Sequence, residues 1–202
     1  MKKRILSLAI SAALVLTMLP AGALAAGDKG TPPVYNKATG CYEISTPDQL
    51  LYLSGSWKDG APRDGHYVLT ADIDMTGVKG FKPIASKKDQ GFIGTFDGQF
   101  HAIKGLRVEY EKKYAGLFGY VGNQDDQAYI KDVALLDCYV TGQQNVGALA
   151  GVNYGTITGC VVTGEVKCLD LSNSHTAGGI CGKLIFIRPE GVYDYAVVFY
   201  AK

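Results

Sequence analysis

The sequence predicts an all-β chain wound as a short β-solenoid, and three observations carry that expectation. Glycine is abundant, with 26 residues of which only Gly22 lies in the apolar leader, yet hydrophobic residues still make up 47% of the chain. Abundant Gly with many Val, Ile, Thr and Tyr reads as strands joined by tight turns rather than as a flexible linker. The second observation is a repeated glycine word. Ala115-Gly116-Leu117-Phe118-Gly119, Gly147-Ala148-Leu149-Ala150-Gly151 and Gly178-Gly179-Ile180-Cys181-Gly182 align, with their closing glycines 32 and 31 residues apart. A shorter relative, Gly91-Phe92-Ile93-Gly94, precedes them by 25 residues. The third is a second word, Cys138-Tyr139-Val140-Thr141-Gly142, which returns as Cys160-Val161-Val162-Thr163-Gly164 after 22 residues.

Residues 1–25 have the pattern of a secretory signal peptide. Lys2, Lys3 and Arg4 form a positive start, Ile5 to Leu19 is almost wholly apolar, and Ala23-Leu24-Ala25 has small residues at alternating positions. The apolar run is shorter than the roughly 20 residues that span a bilayer. Cleavage is expected between Ala25 and Ala26, which places the protein outside the cytoplasm, secreted or at the cell surface. No later stretch reads as a membrane span. Removing the three basic leader residues takes the formal charge from +1 to −2, a balance that gives no case for nucleic acid.

Residues 26–40 read as a linker, with Pro32, Pro33 and Asn36 among polar residues. Residues 41–110 read as an N-terminal cap and the first coils. Cys41 to Ile44 fits a short strand. Thr46-Pro47-Asp48-Gln49 is a helix start, with Thr as N-cap, Pro at the first helical position and Gln three residues after the cap. Leu50, Leu51 and Leu53 give this helix an apolar face, and Gly55 ends it, so it is placed as a cover for the first rung. His66 to Thr70, Ile73 to Met75 and His101 to Val108 read as strands, with Asp97-Gly98 as a tight-turn dipeptide.

Residues 111–183 carry the repeats. The two words together imply a coil of near-constant length, about 22 residues, with loops inserted at Asn123 to Tyr129 and at Lys167 to His175. The alternative is a β-sandwich in which the Gly-x-x-Gly words recur by chance. Residues 184–202 have no glycine word and read either as a C-terminal cap, with a hairpin around Pro189-Glu190-Gly191, or as the product of truncation or a frame shift.

The stretch Gly147-Ala148-Leu149-Ala150-Gly151-Val152-Asn153-Tyr154-Gly155-Thr156-Ile157 resembles the GLUG motif, a short Gly-rich repeat of exported bacterial surface proteins. Ala115 to Gly119 and Gly178 to Gly182 resemble further copies. Ile44, Thr46 and Leu50, then Ala71 to Met75, then Phe92 to Gly98 are similar to what precedes such repeats. The resemblance covers about Cys41 to Lys183. It implies a right-handed parallel β-helix belonging to large extracellular proteins, some adhesins and some proteases. It carries no catalytic residues over.

Candidate chemistry is sparse. His66, His101 and His175 have no metal-ligand spacing, and no Gly-x-Ser-x-Gly word marks a nucleophile. Asp72, Asp74 and Asp97 are candidate calcium ligands if the first two share a strand face, although there is no calcium-loop motif; no other cofactor is implied. Trp57, Tyr120 and Tyr154, with Tyr110 and Tyr114, are candidates for stacking on sugar. Of the five cysteines, Cys138, Cys160 and Cys181 lie in apolar words and are expected to be buried, with a disulfide between neighbouring rungs open as an alternative. Cys168, in an inserted loop, is the expected exposed thiol. The functional expectation is a non-catalytic structural or interaction module, adhesive or ligand-binding, whose partner is an extracellular glycan or protein. Two alternatives are the N-terminal part of a larger protease or polysaccharide-degrading enzyme, and a carbohydrate-binding module.

Overall fold

The computed structural model describes residues 30–55, 61–170 and 176–184. The expected cleavage pair Ala25 and Ala26, Trp57, His175 and the tail beyond Leu184 lie outside the described residues.

The chain is a parallel β-solenoid of about four turns stacked on a partial first turn. A hairpin of β1 (Val34–Asn36) and β2 (Cys41–Ile44) opens it, and this antiparallel ladder is followed by parallel ladders throughout. Parallel pairing excludes the sandwich, whose strands would run antiparallel. β1 falls inside the stretch expected to be linker. The Asn36 amide donates to the Glu43 carboxylate across the hairpin (2.7 Å) and ties it shut.

Helix α1 (Pro47–Tyr52) follows where the sequence places it. The Thr46 hydroxyl accepts from the Gln49 amide and the Gln49 side chain accepts from the Thr46 amide, a reciprocal cap. Leu50, Leu51 and Leu53 join the core, so the helix takes the place that strands occupy in later turns. It is tied to the turn below by Gly55 N donating to Lys82 O (3.3 Å).

The second turn holds β3 (His66–Leu69) and β4 (Ile73–Asp74), with Ile84 and Phe92 as single bridges to the next turn. The third holds β5 (Thr95–Asp97), β6 (Ala102–Lys104), β7 (Arg107–Ala115) and β8 (Phe118–Val121). The fourth holds β9 (Tyr129–Lys131), β10 (Ala134–Gly147) and β11 (Ala150–Asn153); the last holds β12 (Thr156–Thr158), β13 (Val161–Cys168), β14 (Ala177–Gly178) and β15 (Cys181–Leu184). They stack into three sheets, β1-β2-β3-β5-β9-β12, then β4-β6-β10-β13 with β7 and β14 also on β10, then β8-β11-β15.

Inward residues stack in files along the solenoid. Tyr42, Tyr67, Phe96, Ile130 and Ile157 make one file; Ile73, Ile103, Leu135 and Val162 another; Val108, Val140 and Val166 a third. Each buried side chain of this size removes about 1.5–3 kcal/mol worth of apolar surface from water, and the files form one continuous core.

The glycine words set the register. Phe118 pairs with Ala150 and Ala150 with Cys181, so Gly119, Gly151 and Gly182 stack at the offsets of 32 and 31 read from the sequence. The expected coil of about 22 residues is not the repeat. Cys138 pairs with Gly164 and Gly142 with Cys168, an offset of 26. In β10, Asp137 takes a left-handed conformation (φ 52°) where the ladder slips between Leu135 and Cys138. The closing glycines of the two cysteine words are not equivalent: a methyl group at Gly164 would stand 2.1 Å from Cys138 O, whereas one at Gly142 would first meet the Ala115 side chain, so the words do not stack on each other as the glycine words do.

The Asp97-Gly98 tight turn leads from β5 into β6. It is a corner between two parallel sheets, and the left-handed residues are Gln99 and Phe100 rather than Gly98.

Candidate functional site

A corner is repeated three times on the third sheet. Ala85 (φ 56°), Tyr114 (φ 70°) and Asn145 (φ 50°) all take the left-handed conformation one turn apart. Against each lies the closing glycine of a word in the following turn. A methyl group added at Gly119 would stand 2.7 Å from the Cα of Ser86, and one at Gly151 would stand 2.6 Å from the Cα of Tyr114. Only glycine lets the backbones approach so closely. Asn adopts the left-handed conformation readily, whereas a bulky residue such as tyrosine pays for it. Tyr114 is therefore the exceptional member, held in place by packing.

The strained corner aims Tyr114 across the outer face of β8. Its ring stands edge-on to Tyr120, with centroids 4.6 Å apart and planes at 65°. Tyr120 is buried, and burial first, then its hydrogen bond with Tyr114, raises its hydroxyl pKa well above the usual value. Tyr154, half-buried just past β11, is placed by its amide donating to Val121 O (2.7 Å). Tyr120 and Tyr154 line a cleft of about 250 Å³ together with Lys88, Asp89, Asn123, Gln124 and Asp125. Asn123 spends its side chain on the loop itself, accepting from the amides of Asp125 (2.7 Å) and Asp126 (2.8 Å). That turn leaves the exposed Gln124 and Asp125 side chains at the rim.

Beside the cleft runs a wider groove of about 1200 Å³. Ser54, Gly55, Lys82, Ser86 and Lys87 form one wall, the Glu109–Tyr114 run of β7 the other, with Thr141 and the exposed Leu169 completing it. Tyr114 belongs to this groove while its ring touches the cleft's Tyr120. The lysines here escaped the sequence reading. The doublets Lys87-Lys88 and Lys112-Lys113 were the available signal, but nothing local shows that they converge.

Two of the three stacking candidates are thus brought together, with Tyr114 and Tyr110 close by. The three aspartates are not. Asp72 accepts from the Ala102 amide (2.9 Å) and meets His101 Nδ1 (3.1 Å). Asp74 accepts from the Thr76 amide (2.9 Å). Asp97 accepts from the Gln99 amide (2.9 Å) and pairs with Lys131 (2.8 Å). Each carboxylate is occupied by its own corner, and among the described residues no cluster of three His, Cys, Asp or Glu could hold a metal ion.

None of the five cysteines is in a disulfide. Cys138 and Cys160 are buried, and burial pushes both thiols up to about 11. Cys181 is half-buried rather than buried. Cys168 is not in a loop: it closes β13, half-buried, with its Sγ donating to Gln143 O (3.1 Å). The inserted loop begins after it because β13 keeps pairing with β10 through the Gly142–Cys168 rung.

No family model matches the chain. Over 151 residues it is 32% identical to Halomucin of Haloquadratum walsbyi, a match covering 70% of this chain and 2% of that protein. Over 101 residues it is 33% identical to a protein named as a Gly-rich membrane protein from Evansella cellulosilytica, covering 46% of this chain and 11% of the other. The chain therefore spans a small part of the length of these relatives. A solved structure from Bacteroides ovatus named for an immunoglobulin A1 protease aligns at 16% identity with a TM-score of 0.42, covering 78% of this chain and 64% of that one. Among the described residues no helix is long and apolar enough to cross a membrane.

Proposed function

We propose that this chain is a non-enzymatic interaction module of an exported surface protein, and that it binds a glycan through the tyrosine cleft. The cleft carries the reading. Tyr120 and Tyr154, from neighbouring turns, border one cavity whose rim offers Gln124, Asp125 and Asp89 as hydrogen-bonding groups. Rigid aromatic faces beside a few polar groups suit a sugar, whose ring has an apolar face and hydroxyl edges. The strain held at Tyr114, which braces Tyr120, fits a site built for contact. The GLUG-like words, the leader and the low share of each relative's length support a module displayed as part of something larger.

The test is a glycan array probed with the chain lacking its leader, alongside Tyr154→Ala. Tyr154 is half-buried and outside the core, so its loss leaves the fold intact. The expected result is glycan binding that the variant weakens about tenfold, or ~1.4 kcal/mol. Equal binding by both proteins, binding to no glycan, or release of new sugar ends from the bound glycan overturns the reading.

A further inference from the structure

The groove beside the cleft has a charge that the chain as a whole lacks. Lys82 and Lys87 come from the second turn, Lys112 and Lys113 from the third, and all four are exposed. None is engaged in an ion pair among the described residues, where Arg107–Glu109, Lys131–Asp97 and Lys167–Glu165 are the paired Lys and Arg side chains. The groove also contains Glu109 and Glu111. Glu109 is held by Arg107 at 2.7 Å, so Glu111 alone stands against four unpaired ammonium groups. On a chain of near-zero net charge this is a local positive trough.

The groove and the cleft abut. Lys87 lines one and its neighbour Lys88 the other, and the ring of Tyr114 joins the groove to Tyr120 in the cleft. We infer that the groove binds an acidic polysaccharide with one carboxylate per sugar, a polyuronate, whose chain continues into the tyrosine cleft. The inference rests on the glycan reading for its sugar component and on the lysines for its charge.

Four features select this ligand. Lysine is a mobile, strongly hydrated point charge, suited to single carboxylates rather than to the bidentate geometry that arginine reads. The trough is moderate in charge because Glu111 sits within it, which suits sparse carboxylates better than dense sulfates. The lysines stand on turns one rung apart, about 4.8 Å, close to the rise per sugar of an extended polysaccharide. Leu169, 57% exposed in the groove, offers an apolar contact for a ring face.

The test is equilibrium binding of the leaderless chain to polygalacturonate, with dextran, heparin and single-stranded DNA as comparisons. Polygalacturonate is expected to bind best, and raising salt from about 50 to about 500 mM to weaken it about tenfold. Lys112→Gln/Lys113→Gln is expected to weaken it about tenfold as well. Lys37→Gln/Lys79→Gln, which removes the same charge from exposed sites elsewhere, leaves it unchanged. Tighter binding to heparin or DNA, equal binding to dextran, or equal losses in the two double variants overturns the inference. The two readings fail separately. If Tyr154→Ala binds polygalacturonate normally while the Lys112/Lys113 variant does not, the groove stands and the cleft falls. The reverse pattern retires the groove alone.

Discussion

Gly151 lies flat against the backbone of Tyr114, close enough that one added methyl group would stand 2.6 Å from the tyrosine Cα. The contact joins the glycine word of one turn to the left-handed corner of the turn before it. It links architecture to site, because the same corner carries the ring that braces Tyr120.

Gly151→Ala is therefore expected to destabilise the protein. The neighbour is backbone, which cannot rotate away, so the strain costs about 2 kcal/mol and lowers Tm by roughly 4–8 °C. Thermal melting followed by circular dichroism checks this. An unchanged Tm means that the corner yields freely and that the glycine word does not hold the register.

Acid should loosen the corners. The carboxyl of Asp72 is held below its ordinary range by the Ala102 amide first and His101 second; Asp74 is held down by its bonds with Thr76. A depressed folded pKa stabilises the fold above the unfolded carboxylate value of about 3.9, and that contribution is lost as pH falls through the folded pKa. Tm is thus expected to fall as pH drops below about 4, with a shallower acid limb in Asp72→Asn. Superimposable Tm–pH curves for the two proteins would show that this carboxylate carries no linkage.

Thiol reactivity separates the cysteines by environment. Cys138 and Cys160 are buried and pushed up to about 11, so at about pH 8 little thiolate forms and reagent has no access. Iodoacetamide is expected to leave both unmodified in the native protein and to alkylate both in denaturant, as read by peptide mass spectrometry. Rapid native alkylation of either shows that the core opens at that rung.

Much of the architecture is legible in local pattern. The capping box at Thr46 and Gln49 is a matter of residues three apart, and α1 forms where it says. The glycine words are legible for a related reason: a close backbone approach admits no other residue, so the constraint is written in the sequence at the true spacing of 32 and 31. The cysteine words mislead because their glycines serve different contacts, Gly164 against the Cys138 backbone and Gly142 against the Ala115 side chain, and the bulge at Asp137 shifts the ladder without a marker.

The site divides the same way. The sequence alone determined an all-β repeat stack with a helix at its start, and it offered the tyrosines only as candidates beside Trp57 and the aspartates. Only the tertiary structure decided that Tyr120 and Tyr154 share a cleft, that Lys82, Lys87, Lys112 and Lys113 share the groove beside it, and that Asp72, Asp74 and Asp97 share nothing. The reason is geometric. In a solenoid, residues some thirty positions apart become neighbours one rung away, and a shift of one residue turns a side chain to the other face. Outward side chains carry no core constraint to reveal that shift, so their company is known only once the register is.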